Sequence, residues 1–372
     1  MQWSVGLQRE IIPDLVIEAA YVGNRGVWWP GNVLKDINGL TPERIASFGL
    51  DINNAADRQL LRSPVNSALA AQRGFNRLPF PGFPAGRTVA QALRPFPQFN
   101  IIPSSGAPLG NTWYDSLQVK ATKRLSHGLD FNVAYTWQKE LQLGVEPGVI
   151  NDVFDRNQNK TISGSSRPQT LVIAANYQLP RLSSTNPLVS AIFRGWTYGA
   201  VLRYASGLPI AVPLAQTRLN TLLFRNTRAN RVAGEPLFLK DLNSGNIDPK
   251  REFVLNPNAW TDPPDGHFGV TAPFLNDFRF QRRPQESMSL GRIFRIGEER
   301  SVEIRVELSN VFNRPVINNP DTVFGNYTAP QRRDSQGNVV SGFGRIPTGT
   351  GISGPGFTGR PREGLVVARL RF

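Results

Sequence analysis

Few side chains in this sequence are suited to bond-making chemistry. There is no cysteine, and the two histidines are His127 and His267. Thiol catalysis, disulfides and Cys-bearing zinc sites are therefore excluded, and little remains to ligate a metal. A nucleophilic enzyme needs a base held beside its serine or threonine. His127 falls in a Ser-His-Gly turn and His267 in a Pro/Gly-rich stretch, with no serine elbow near either. Two segments imitate ligand loops. Gly349, Gly351 and Gly354 spell GxGxxG, which binds a dinucleotide only where it follows a strand and opens a helix. Here Pro355 and Gly356 follow at once, the composition of a Gly-rich loop. Asp155, Asn157 and Asn159 begin like a calcium loop, but Lys160 stands where glycine is required and Ser166 where the bidentate glutamate belongs. The expectation is a protein that is not an enzyme and uses no cofactor and no metal.

Charge suggests a different chemistry and then withholds it. Forty-two basic against 28 acidic residues leave a net charge of +14, a balance that prompts a nucleic-acid reading. The arginines are scattered, however, through Gly/Pro/Asn-rich segments: Arg218, Arg225, Arg228, Arg231, Arg282, Arg283, Arg332 and Arg333. No basic helix or nucleic-acid motif accompanies them. No nucleic-acid partner is expected, and the charge reads as solvated loop surface, some of it facing anionic lipid head groups.

The elements that would position any site are strands. Successive strand side chains point to opposite faces, and period-two alternation recurs along the whole chain. In LDFNVAYTWQK, Leu129, Phe131, Val133, Tyr135 and Trp137 fall on one face, with Asp130 and Asn132 on the other. In SVEIRVEL, Val302, Ile304, Val306 and Leu308 oppose Glu303, Arg305 and Glu307. We assign the first sets to lipid and the second to a lumen, where Lys120 and Glu18 join them. Weaker copies run through Trp3 to Arg9, Leu15 to Val22, Asp115 to Arg124, Gln169 to Gln178, Trp196 to Tyr204, Ser287 to Phe294 and Gly364 to Phe372. Several reach the ~9 to 11 residues that a tilted strand needs to cross a bilayer. No apolar run approaches the ~18 residues of a spanning helix.

Connections carry a second pattern. Glu10 to Asp14, Ser126 to Gly128 and Ile296 to Arg300 read as tight turns, and Leu179 to Gly195 as a moderate one. They alternate with long irregular links over Gly23 to Thr112, Glu140 to Pro168, Ala205 to Glu286 and Asn313 to Glu363. Outer-membrane barrels have short periplasmic turns and long extracellular loops. Trp3, Tyr21, Trp113, Tyr114, Tyr135, Trp137, Tyr177, Trp196, Tyr198 and Tyr204 sit in or beside strands, many near an end, as interfacial aromatics do. A soluble β-sandwich also alternates and is the competing architecture. The preferred fold is all-β: a partial antiparallel transmembrane β-barrel of about nine or ten strands with long extracellular loops, in the cell outer membrane.

Two segments carry a family resemblance. GNTWYDSLQVKATKRLSHGLDFNVAYTWQK (Gly110 to Lys139) and RVELSNVFNRPVI, with Asn310, Phe312 and Asn313, resemble the barrel of TonB-dependent receptors of the Oar-like group. ALRPFPQF (Ala92 to Phe99), YASGLPIAV (Tyr204 to Val212) and LNPNAWTDPPDGHFG (Leu255 to Gly269) are similar to further pieces of it. The final LVVARLRF is similar to the C-terminal assembly signal of outer-membrane proteins, carried here by Val366, Ala368, Leu370 and Phe372.

The resemblance implies a C-terminal portion, residues 1 to 372, of a larger barrel of about 22 strands. Signal peptide, plug and carboxypeptidase-regulatory-like domain have no counterpart in this sequence, so a truncated chain is expected. The implied function is energy-coupled uptake of an unidentified ligand. An adhesin or structural barrel without transport is the alternative. Implied partners are outer-membrane lipid and lipopolysaccharide, the barrel-assembly machinery, the unknown ligand, and the TonB complex only through the missing plug. Selectivity is expected in Gly23 to Thr112 and Ala205 to Glu286, because long loops on a rigid scaffold carry binding.

Overall fold

The computed structural model describes the chain except residues 32–33, 105, 147–149, 181–194, 297–299, 315–316, 323–324 and 348–360. Among the described residues nine long strands form one sheet: β1 (Gln2–Ile12), β2 (Leu15–Trp29), β3 (Gly110–Ser126), β4 (Leu129–Leu143), β5 (Gln169–Gln178), β6 (Trp196–Ala205), β7 (Gln285–Ile296), β8 (Arg300–Ser309) and β9 (Glu363–Arg371). Each pairs antiparallel with its neighbour in sequence, so the sheet is an up-and-down meander. A tenth strand, Lys160–Ile162, pairs with the far end of β4. The nine alternating segments of the sequence are these nine strands. Several run further than alternation indicates: β1 continues to Ile12, β2 to Trp29 and β4 to Leu143, and β3 begins at Gly110.

Short turns close one end of the sheet. His127 and Gly128 both have positive φ, 51° and 79°, as a two-residue type I′ hairpin turn requires. A Cβ on Gly128 would also press on the Gln178 carbonyl oxygen. Asp14 turns β1 into β2 with φ 67°, and its amide donates to Glu10 Oε1. The centre of the Ile296 to Arg300 turn, most of Leu179 to Gly195, and the GxGxxG glycines lie outside the described residues.

The long connections, 30–109, 144–168, 206–284 and 310–362, all leave from the opposite end. The expectation of irregular links needs correcting here, because they fold. Connection 30–109 holds four short helices: α1 (Pro42–Ser47), α2 (Ala55–Arg62), α3 (Ala68–Gln72) and α4 (Val89–Ala92). Each is started by a side chain that accepts from an orphan amide, Thr41, Asn54, Ser67 and Thr88 in turn. Leu40, Ile45, Leu60, Leu61 and Val65 form a core with Leu219 and Leu222 of connection 206–284. A second core joins Ile210, Leu255, Trp260 and Phe278 to Phe343 and Ile346 of 310–362. Three links thus become one cap.

The burial pattern is inverted relative to a soluble β protein. Nearly all fully buried apolar side chains belong to the cap, whereas β1 is exposed at every position. Protein leaves many apolar side chains of the sheet partly or largely exposed, as side chains that meet lipid would be.

Candidate functional site

Register decides which side chains share a face. Leu129, Phe131, Val133, Tyr135 and Trp137 align with Tyr177, Ala175, Ile173, Leu171 and Gln169 of β5, and Val133, Tyr135 and Trp137 with Ala121, Val119 and Leu117 of β3. Following the ladder through β6 and β7 brings the same face to Val302, Ile304, Val306 and Leu308. These pair with Leu370, Ala368, Val366 and Gly364 of β9. Residues from distant parts of the sequence therefore lie on one apolar face. Phe372 lies just past β9 and is almost fully exposed. From Leu129 to Trp137 the strand advances roughly 26 Å at ~3.3 Å per residue. That is the order of the ~25 Å apolar band of an outer-membrane barrel.

Charges on this face sit near its margins. Toward the cap, Tyr21 Oη donates to Asp115 Oδ1 at 2.5 Å, and Asp115 stands opposite Lys139. Toward the turns, the Arg292 guanidinium lies over the Phe294 ring at 4.4 Å, with Trp196 opposite it. Amphipathic side chains in such places keep the polar tip in a wetter layer.

The other face is polar. Asp130 accepts from Asn176 Nδ2 at 3.0 Å, and Asn132 lies opposite Ala174. Arg305 pairs with Glu307 at 2.8 Å, and Glu303 with Arg371 at 3.2 Å. Glu18 stands opposite Lys120. Across β5 to β9 this face forms a concavity of about 840 Å³, bordered by Ala174, Gly199, Ser287, Ser289 and Glu307.

The cap is joined by polar contacts within and between its connections, several of them buried. Asp36, only 2% exposed, faces Arg94 at 3.5 Å and Arg225 at 3.1 Å. Burial pulls both arginines below their ordinary pKa while Asp36 pulls them back up. Arg94 lies over the Phe224 ring at 4.3 Å. Asp265 accepts from Arg58 and Arg62, and the hydrogen bond from Arg62 is the largest influence holding its carboxyl below the usual value. Asn151 accepts from Thr227 Oγ1 and the Arg228 amide and donates to the carbonyls of Gly269 and Thr271. Connections 30–109, 144–168 and 206–284 are thereby tied together.

The loop segments singled out in the sequence help to hold the cap together, within its connections as well as between them. In ALRPFPQF, Arg94 and the Phe96 amide bind the buried Asn38, whose Nδ2 donates to the Phe96 and Phe99 carbonyls. In YASGLPIAV, Gly207 lies so close to the Phe280 carbonyl that a Cβ would collide with it. In LNPNAWTDPPDGHFG, Trp260 enters the second core and Asp265 holds the two arginines. In RVELSNVFNRPVI, Asn310 and Asn313 turn the chain with φ 46° and 50°, and Arg314 then grips Glu286 at 2.9 Å. The capping residues of α1 to α4 are visible in the sequence, but the Gly/Pro content around them obscures helices this short.

The chemistry-bearing residues singled out in the sequence lie in a turn and in the cap. His127 is in the hairpin turn, and His267 lies in the cap with its amide on the Pro264 carbonyl. Asp155 and Asn159 are used internally: Asp155 accepts from the Asn157 amide, and Asn159 ties Asn151 to Asp152. Among the described residues no group of three or more His, Asp or Glu is placed to hold a metal. Among them, too, no helix is long and apolar enough to cross a membrane, which says nothing against crossing by strands.

Comparison with known proteins bears on the same architecture. No curated protein matches the chain. A family model described as an outer membrane beta barrel domain matches residues 1–358. Long strands, a sheet with one apolar and one polar face, and a one-sided set of long connections are what that description requires, so this chain belongs to the outer membrane beta barrel domain family and resides in the cell outer membrane.

Proposed function

We propose that the chain forms wall and extracellular cap of a TonB-dependent, Oar-like transporter that takes up a ligand by energy coupling, and that it is not an enzyme. In this reading the apolar face meets lipid and lipopolysaccharide, and the polar face lines a lumen. The C-terminal Val366, Ala368, Leu370 and Phe372 engage the barrel-assembly machinery. The TonB complex acts through a plug rather than through this wall, and nucleic acid has no part.

One observation carries the transport reading: a sheet face rich in charge and amide groups, backed by a cap whose connections are packed into two cores. A charged face on strands of spanning length is tolerable only against water or another polar surface. A packed cap presents binding residues in fixed positions, which cuts the ordering cost of recognition. The resemblance of the barrel hairpin and of the SNVFNRP turn to Oar-like receptors selects the transporter class.

The test is growth and ligand accumulation in cells carrying the gene, with the inner-membrane energising complex intact or deleted. Energy-dependent accumulation lost on deletion of this gene supports the proposal. Surface binding that persists unchanged without energisation, with no accumulation, refutes it and favours an adhesin.

A further inference from the structure

Several cap arginines meet carboxylates: Arg94 and Arg225 have Asp36, Arg58 and Arg62 have Asp265, and Arg314 has Glu286. In another corner four arginines gather. Arg203 stands on the polar face near the cap end of β6, in register with Val172 and Gln285. Arg167 arrives at the end of connection 144–168, and its Nη1 donates to the Ser206 carbonyl at 2.7 Å. Arg279 comes from connection 206–284, its Nη1 donating to the carbonyls of Ser166 at 2.7 Å and Gly207 at 3.1 Å. Arg283 completes the group and donates to Asn319 Oδ1.

These hydrogen bonds, to Ser206 from Arg167 and to Ser166 and Gly207 from Arg279, bring the side chains to the same corner. Burial lowers Arg167 below its ordinary pKa, and the charges of Arg203 and Arg283 lower it further. Arg279 is lowered by burial and then by Arg167. Arginine does not deprotonate in proteins, so the fold carries this repulsion. Among the described residues no ion pair reaches Arg167, Arg203 or Arg279. Nη2 of Arg279 is buried with no hydrogen-bond partner. A buried donor left unmade is costly.

A place for the rest of such a molecule lies directly below. On the same face as Arg203 and next along β6, Val201 pairs with Ser287, and after it Gly199 stands opposite Ser289. These residues border the 840 Å³ concavity, whose small side chains leave room above the sheet. Its acidic members are Glu307, already paired with Arg305, and Glu363 at the far side.

We propose that Arg167, Arg203, Arg279 and Arg283 form a site for an anion bearing two or more carboxylate or phosphate charges, whose uncharged body lies along the small-residue groove below. The geometry suits forked donors, which recognise planar or tetrahedral oxyanions in two-point fashion. The proposal rests on the polar face being the lumen. Because Arg203 lies on the face opposite the apolar side chains, the anion is a soluble one and not a lipid phosphate.

The test is calorimetric titration of the purified protein, in detergent micelles free of lipopolysaccharide, with citrate and with tripolyphosphate; micelles containing lipid A form a separate arm. At least one soluble anion should bind, more weakly as salt rises. Arg203→Gln should weaken it at least tenfold and Arg203→Lys less. Arg203 is the variant of choice because its hydrogen bond, to Gln285 Oε1, is long at 3.5 Å, so the fold survives its loss. Arg282→Gln, at an exposed position where Nε meets Asn243, should change nothing. Binding of neither soluble anion, binding indifferent to Arg203→Gln, or binding of lipid A alone overturns the proposal. Energisation plays no part in this assay. Anion binding without uptake would therefore refute transport and leave the site standing, and uptake without anion binding would do the reverse.

Discussion

The Asp36→Asn substitution tests whether the cap is a packed unit or a set of separate loops. Asp36 Oδ1 accepts from the amides of Asn38 and Ile102, both at 3.0 Å, and Oδ2 faces Arg94 and Arg225. Asparagine preserves the shape and removes the charge. It leaves Arg94, 1% exposed, and Arg225, 17% exposed, without this anion. Removing one partner of a buried pair costs about 3–5 kcal/mol. Every ~1.4 kcal/mol is tenfold, so local opening of the cap should rise by roughly 10² to 10⁴. Asp265→Asn is the control, because that carboxylate is 41% exposed and its pairs are worth ~1 kcal/mol or less. Amide hydrogen exchange of α2, where Leu60 and Leu61 are fully buried, reports the opening directly. Strand amides should exchange as before in both variants. If Asp36→Asn speeds α2 exchange no more than Asp265→Asn does, the interlocked cap is wrong.

Other outcomes follow from the same geometry. Val133→Arg should cost ~2–4 kcal/mol and cut the amount of folded protein in outer membranes, whereas Asn132→Arg on the opposite face should be tolerated; equal effects would mean the faces are misassigned. Acid should loosen the cap before the sheet. Asp57, held low first by the Asp51 amide and then by Arg73, and Asp265, held low chiefly by Arg62, both have folded pKa values below their unfolded ones. Their contribution is present at neutral pH and is lost as pH falls through the carboxylate range, below about 4. Loss of α2 protection already on going from pH 8 to pH 5 would contradict this. Gly207→Ala should destabilise the cap by about 1–3 kcal/mol through collision with the Phe280 carbonyl, while Gly86→Ala, which meets nothing, should be neutral in the same exchange measurement. Exchanging connection 30–109 with that of a relative should fail unless 206–284 is exchanged with it, since Leu219 and Leu222 complete its core; a stable single swap would argue against that shared core.

The strands were legible because alternation is a local property. The backbone pleat turns Ile304 and Glu303 to opposite faces whatever lies beyond them. Asymmetric connection lengths then dictated that all long links share one end. What alternation could not supply was register between strands far apart in sequence. That Val133 and Val302 lie on one face emerged only from the ladder running through β5, β6 and β7.

The cap lay further from view, for the same reason in stronger form. Its cores join residues separated by more than a hundred positions, such as Leu60 with Leu219 or Ile210 with Phe343. Its helices are too short for an amphipathic period to stand out, and only their capping residues signal them. The arginine corner combines both difficulties. Arg283 reads in the sequence as scattered loop charge, and Arg167, Arg203 and Arg279 carry no mark at all. Strands, faces and the direction of the links follow from steric alternation and chain length, so the order of the amino acids was enough to define them. Which loop side chains meet, and which arginines gather in one corner, depends on contacts between distant segments, and those exist only once the chain has folded.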